Sequence, residues 1–214
     1  MPDQPAGLLP REFLNRPAPE VAPGLLGCVL EHESPEGLVA VELTEVEAYN
    51  GEEDPASHAY RGRTPRNAVM YGPAGHAYVY FTYGMHFCVN VSCMPPGTAS
   101  AVLLRAGQVI AGEELARCRR PVKGPDRELA RGPARLCQAL GIDRALNGAD
   151  FCDPASPLRL RTRIRPNDDK EIRPGPRVGV SAGATVPWRF WLDGEPSVSV
   201  YRPWVPRRRP ERLI

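Results

Sequence analysis

The first residue in this chain that could do chemistry is an acid placed at the end of an alternating apolar run. In LVAVELTEVEAY, Val39, Val41 and Leu43 share one face of a strand, and continuing that parity carries Glu47 to the inward side. A carboxylate in such a place needs either a partner or a task, because burying its charge unpaired is costly. Arg105, in AVLLRAG, shares parity with Ala101 and Leu103 and is a candidate partner. The pair could be a plain structural ion pair. It would equally suit catalysis, with Arg105 keeping Glu47 ionised and helping to fix a water whose proton Glu47 accepts. Val46 has the opposite parity and is also apolar, so the strand contains a bulge or is buried on both faces.

The stretch that begins here is the densest in unusual side chains. From Val46 to Ser92 the chain holds three of its four histidines and six of its seven tyrosines. Each tyrosine is a large flat ring with a polar tip that must find a partner when buried, more amphipathic surface than a strand pair needs for its core. The rings could be structural, or they could form a site that stacks on a flat ligand. Around them lie Arg61, Arg63 and Arg66, which could grip phosphates or simply be solvated surface charges.

Positioning these groups requires strands with tight connections. Turn signals at Ser34 to Gly37, Gly84, Pro95 to Gly97 and Gly107 separate candidate strands at Cys28 to Glu31, Leu38 to Tyr49, His76 to Tyr83, His86 to Cys93 and Ala99 to Ala106. Such close spacing favours antiparallel pairing. Helices are expected at about Gly112 to Arg119 and within DRELARGPARLCQALG, where Pro133 can start one and Gly141 can end it. Leu158 to Arg165, Arg177 to Ser181, Trp188 to Leu192 and Val198 to Tyr201 again suit strands. The expected fold is α+β, one compact mixed domain over residues 1–214, mainly antiparallel sheet with flanking helices. The proline-rich residues 1–20 are expected as a surface arm and 203–214 as a tail.

The chain has 214 residues and 42% hydrophobic residues, enough to build a core without metal or disulfide staples. No run reaches the roughly 18 consecutive apolar residues of a membrane helix, and the N-terminus lacks a signal-peptide pattern, so a cytoplasmic protein with no membrane partner is expected. Its six cysteines, without close metal-type pairs, read as buried reduced thiols, and no metal or other cofactor is expected. The net charge of +2 announces no partner by itself. Because only Lys123 and Lys170 are lysines, however, nearly all the positive charge is guanidinium, which forks onto phosphate.

At this point the residues acquire a resemblance. E-A-Y at Glu47 to Tyr49, Asp54 and His58, T-P-R-N at Thr64 to Asn67, Y-V-Y-x-x-Y-G-M at Tyr78 to Met85, Asn90, and L-L-R at Leu103 to Arg105 follow in order. Together they resemble the signature region of the alkyladenine (3-methyladenine) DNA glycosylases. The similarity continues through GPARLCQALGI and RVGV to WRFWLDGEPSVSV. It implies a monofunctional enzyme of base excision repair, a monomer acting on double-stranded DNA that contains damaged purines. By resemblance, Glu47 is the general base for water, helped by the Arg105 side chain and the Val180 backbone carbonyl. Tyr49, His58 and Tyr80 are implied as walls that stack on a flipped base, Tyr83 as the side chain filling the gap in the duplex, and Asn90 as the gatekeeper against ordinary guanine. His86 departs from the pattern, standing where the family can carry another aromatic residue.

Two other readings use the same residues. A hydrolase of free nucleosides could employ Glu47 and an aromatic pocket but would have no use for Tyr83 at a turn, and a non-catalytic nucleic-acid binder would not need Glu47 with Arg105. Lyase chemistry needs an amine for a Schiff base. Lys123 and Lys170 stand in polar stretches away from the signature, and Pro2 has no adjoining catalytic glutamate, so no lyase activity is expected.

Overall fold

A computed structural model describes residues 7–82, 84–163 and 170–206. Among these, eight strands form one curled antiparallel sheet, with four α-helices packed on it, as the α+β expectation requires. The strands are β1 (Val29–Ser34), β2 (Gly37–Tyr49), β3 (Ala77–Thr82), β4 (His86–Cys93), β5 (Ser100–Ala111), β6 (Leu158–Arg161), β7 (Ile172–Gly175) and β8 (Arg189–Leu192). Their order is β3-β4-β5-β2-β1-β6. β8 lies against the second half of β2, where β1 has left off, and β7 continues outward from β8. Residues 45–47 therefore have a strand on both sides, β5 and β8.

The long strand β2 decides which side chains face the site. Its pairing with β5 slips between Leu43 and Glu45 and again between Glu45 and Val46. Before the slip Val39, Val41 and Leu43 belong to the main core; after it Val46 and Ala48 do. The bulge thus reverses the parity, and Glu47 lies not with Val39 but on the opposite face. This corrects the simple continuation of the alternation and explains why Val46 is apolar. On that opposite face β5 presents Leu103 and Arg105, β4 presents Cys88 and Asn90, and β3 presents Tyr78 and Tyr80, while their neighbours Val102, Leu104, Val89, Val91 and Val79 fill the core. Gly107 sits opposite the bulge, where an added Cβ would strike the Glu42 carbonyl and Val41. β5 consequently does not stop at Gly107 but runs on to Ala111.

Helix α3 (Glu113–Arg119) and helix α4 (Pro133–Leu140) occur where the sequence places them, and α4 ends on Gly141 at φ 71°, a left-handed cap. Residues 7–20 are not a surface arm. They carry α1 (Arg11–Leu14) and the start of α2 (Ala18–Leu25), whose Leu14, Ala18, Val21 and Leu25 are fully buried. Two of the prolines that suggested an arm serve as helix starts: Pro10 precedes α1 and Pro17 precedes α2, leaving Leu14 and Ala18 to cover the core. Residues 1–6 and 207–214 of the expected arm and tail lie outside the described residues.

Two expected strands are absent. Residues 177–181 form a turn, and 198–201 have no regular structure. The strand of this region is instead β7, which contains Pro174; as an outer strand paired only with β8, it tolerates a residue with no N–H. All six cysteines are free, with Cys118 exposed and Cys152 half-buried, so burial holds for the other four. Among the described residues no helix is long and apolar enough to cross a membrane, and no group of three or more His, Cys, Asp or Glu could hold a metal ion.

Candidate active site

The bulged strand and its neighbours enclose a cavity of about 420 Å³, within the roughly 300–1,000 Å³ of ligand clefts. Tyr49, His58, Tyr78, Tyr80, Asn90, Leu103, Arg105 and Val180 are among its lining residues. Glu47, fully buried, lies beside it and bonds to three of its walls. Its Oε2 accepts from Arg105 Nη1 at 3.1 Å and from the Tyr49 hydroxyl at 2.8 Å, and its Oε1 accepts from the Val178 N–H at 2.7 Å. Three segments distant in sequence, β2, β5 and the turn at Val178, thereby converge on one carboxylate. Arg105 is only 5% exposed, and the two acids beside it hold its guanidinium charged, above the usual arginine range, against the effect of burial.

The second of those acids is Glu45, which the sequence reading did not single out. It accepts from Arg105 Nε at 2.8 Å and from Arg189 Nε at 2.7 Å. Burial alone would raise its pKa, but Arg105 and Arg189 hold it below the usual carboxylate range. A signal existed in the alternation T-E-V-E, which places two acids on one face. Nothing in spacing pointed to Arg189, 144 residues away.

The aromatic walls come from two places. Tyr78 and Tyr80 lie two residues apart on β3, with ring centroids 5.4 Å apart. His58 reaches them from a loop: its ring stands edge-on to Tyr80 at 4.6 Å, and its Nδ1 pairs with the Tyr78 hydroxyl at 3.0 Å. Tyr78 is thus part of the wall that the sequence reading assigned to Tyr49, His58 and Tyr80 alone. Burial first, then the nearby Glu47, pushes the Tyr49 phenol well above its usual range. Burial, aided by Cys88, does the same to Tyr80. Burial and Arg66 lower the His58 pKa. The walls are therefore uncharged near neutral pH. Asn90 is buried behind them, donating its amide to the Tyr78 carbonyl at 3.1 Å.

The loop that carries His58 is folded by T-P-R-N. Asn67, 1% exposed, accepts from the Thr64 N–H and donates to the His58 carbonyl at 2.9 Å and the Gly62 carbonyl at 3.1 Å. At the loop's start Asp54 accepts the N–H groups of Asn50 and Ala56 and a two-pronged grip from Arg177, which is fully buried. Arg177 lies 4.8 Å from the Tyr49 ring and 5.3 Å from the Trp188 ring. It precedes Val178 directly. The buried pair therefore fastens the His58 loop, Tyr49 and the 177–180 turn together.

Arg61, Arg63 and Arg66 are exposed, and Arg66 extends over the Tyr80 ring at 5.7 Å. Arg159 and Arg161 on β6, and Arg163 just beyond it, are engaged elsewhere. Arg159 bonds Glu31 and Glu33, Arg161 bonds Glu31, and Arg163 donates to the carbonyls of Pro23 and Gly24, all at the sheet edge opposite β3. A second cleft of about 440 Å³ shares Arg105, Pro133 and Val178 with the cavity and is lined by Arg202 and by Arg131 and Arg135, both of which bond Glu128. Tyr83 and Arg165 lie outside the described residues.

Residues 12–196 match the family described as methylpurine-DNA glycosylase. A protein of Streptomyces avermitilis is 58% identical over 203 residues, covering 94% of this chain and 95% of its own. One of Leifsonia xyli is 56% identical over 191 residues, covering 86% and 87%, and one of Frankia casuarinae 50% identical over 206 residues, covering 92% and 93%. All three carry the provisional name 3-methyladenine DNA glycosylase.

Proposed function

The chain belongs to the methylpurine-DNA glycosylase family, and from that premise we propose that it excises alkylated or deaminated purines from duplex DNA by hydrolysis at Glu47. The observation that carries the reading is the meeting of Glu47 with Arg105 beside a cavity walled by neutral aromatic rings.

A base inside a duplex hides its glycosidic bond, so the damaged nucleotide must be extruded at a cost of a few kcal/mol. Stacking on His58, Tyr80 and Tyr49 offsets that cost at roughly 1–3 kcal/mol per ring contact. A cationic alkylpurine gains further from ring faces and meets no opposing charge on His58. Asn90, held by the Tyr78 carbonyl, crowds the place of a guanine amine.

In the hydrolysis the bond between C1′ and the purine nitrogen breaks, its electron pair leaving with the base. A water oxygen bonds to C1′ and gives its proton to Glu47. An N-alkylated purine departs neutral because it began with a positive charge. Arg105 and the Val178 N–H hold the carboxylate, and the Val180 carbonyl is the third group proposed for the water. The product is an abasic site. No lyase step is proposed, in keeping with Lys170 bound to Glu195 and Lys123 outside the cavity lining. Pro2 lies outside the described residues. Tyr83 is proposed to fill the vacated stack, and the enzyme is proposed to act as a monomer, cytoplasmic and on the nucleoid.

Incubating the protein with duplexes that each carry one defined purine lesion, then treating with alkali, should reveal strand cleavage at the lesion and none before alkali. Turnover of free nucleosides with no action on duplex would favour the small-molecule reading. Arg63→Ala or Arg66→Ala should weaken binding about equally on every sequence and flatten its salt dependence by about one counterion. A change confined to base preference would contradict a phosphate role.

A further inference from the structure

The charges beside Glu47 form an alternating buried row. Arg105 gives Nη1 to Glu47 and Nε to Glu45, and Glu45 also takes Arg189 Nε. Ser199 completes Glu45 with its N–H at 2.8 Å and its hydroxyl at 2.9 Å. Glu45 is fully buried and bonds Arg105, Arg189 and Ser199, whereas Glu47 bonds three residues that line the cavity. Yet Glu47 alone would neutralise Arg105. A second acid on the same guanidinium changes how that group is divided.

We propose that Glu45 is the positioning residue of the Glu47–Arg105 pair. It holds Arg105 by Nε so that Nη1 is what bonds Glu47, and its charge offsets that of Arg105 so that Glu47 can still take a proton. The inference rests on the reading of Glu47 as the base. The charged and titratable groups around Glu47 are Glu45 and Tyr49 on its own strand, Arg105 on β5 and Cys88 on β4. Beyond them stand Tyr80 on β3, Arg189 on β8, and Arg177 with Asp54 at the turn. Glu45, Glu47 and Asp54 balance Arg105, Arg177 and Arg189. Removing one charge from either side therefore has a definite sign.

In Glu45→Gln, Arg105 bears on Glu47 alone. Single-turnover release of an N-methylated purine from duplex DNA should slow about tenfold, and the acid-side midpoint of its pH profile should fall by about one pH unit. In Arg189→Met the acid is less compensated, and the midpoint should rise by about half a unit. A purely structural role would lower the melting temperature of both variants without moving the midpoints in opposite directions. Midpoints that stay at the wild-type value, or move the same way, overturn the proposal. If Glu45→Gln does not fold, Arg189→Met decides alone by whether its midpoint rises. Absence of base release by the wild-type chain would overturn both this inference and the reading beneath it.

Discussion

Glu47→Gln should reduce single-turnover base release by about 10³-fold, the middle of the roughly 10²–10⁴-fold that a positioned general base contributes, while lesion-DNA affinity stays within about threefold. The separation follows from where Glu47 sits. It is fully buried and bonded to Tyr49, Arg105 and Val178, whereas Tyr78, His58 and Tyr80 hold one another without it. The amide keeps an acceptor for the Val178 N–H and cannot take a proton from water. Arg105 retains Glu45 when it loses the charge on Glu47, so the variant is destabilised by about 1–3 kcal/mol rather than by the full cost of a stranded cation. Quantifying alkali-revealed cleavage beside an electrophoretic binding titration checks both halves. Release at the wild-type rate would remove Glu47 from the chemistry. Loss of binding together with release would make it part of the pocket's framework.

The positions of β1 to β5 and of α4 were legible because each rests on a local signal: alternation, a turn, a proline start or a glycine stop. The parity of Glu47 was not, since a bulge is set by the partner strand. Gly107 on β5 has room for it, and the slip falls where β1 gives way to β8. The pairing of Glu47 with Arg105 could still be anticipated, because Leu103 and Arg105 keep their parity on an unbroken strand. What spacing could not convey is who else shares that face. Glu45 is completed by Arg189 and Ser199 from beyond residue 188, and the turn that supplies Val178 looked like a strand because Arg-Val-Gly-Val alternates. Its backbone is spent elsewhere: the Val178 N–H on Glu47, the Gly179 N–H on the Arg202 carbonyl. T-P-R-N, by contrast, was recognised as a motif before its work was visible, which is to fold a loop through Asn67.

Arg177→Met should be among the most destabilising single changes, by roughly 3–5 kcal/mol, or about 10 °C in melting temperature for a domain of this size. The arginine and Asp54 are 0% and 1% exposed in their side chains, so neither can recover water when its partner goes. Asp54 would keep the N–H groups of Asn50 and Ala56 but would carry a buried charge without its guanidinium partner. The guanidinium also donates to the Ala48 carbonyl and packs against Tyr49 and Trp188, contacts that methionine replaces in bulk but not in polarity. Adding Asp54→Asn to Arg177→Met removes the stranded charge and should regain part of the loss, a non-additivity that marks a coupled pair. Thermal melts of the two single variants and the double variant supply the cycle. A single variant that melts within about 2 °C of the wild type would show that the pair contributes little. Since Arg177 leads directly into the turn that bonds Glu47, the surviving folded fraction should also release base more slowly at 20–25 °C, well below its melting point. An unchanged rate there would confine Arg177 to stability and leave the Val178 contact standing without it.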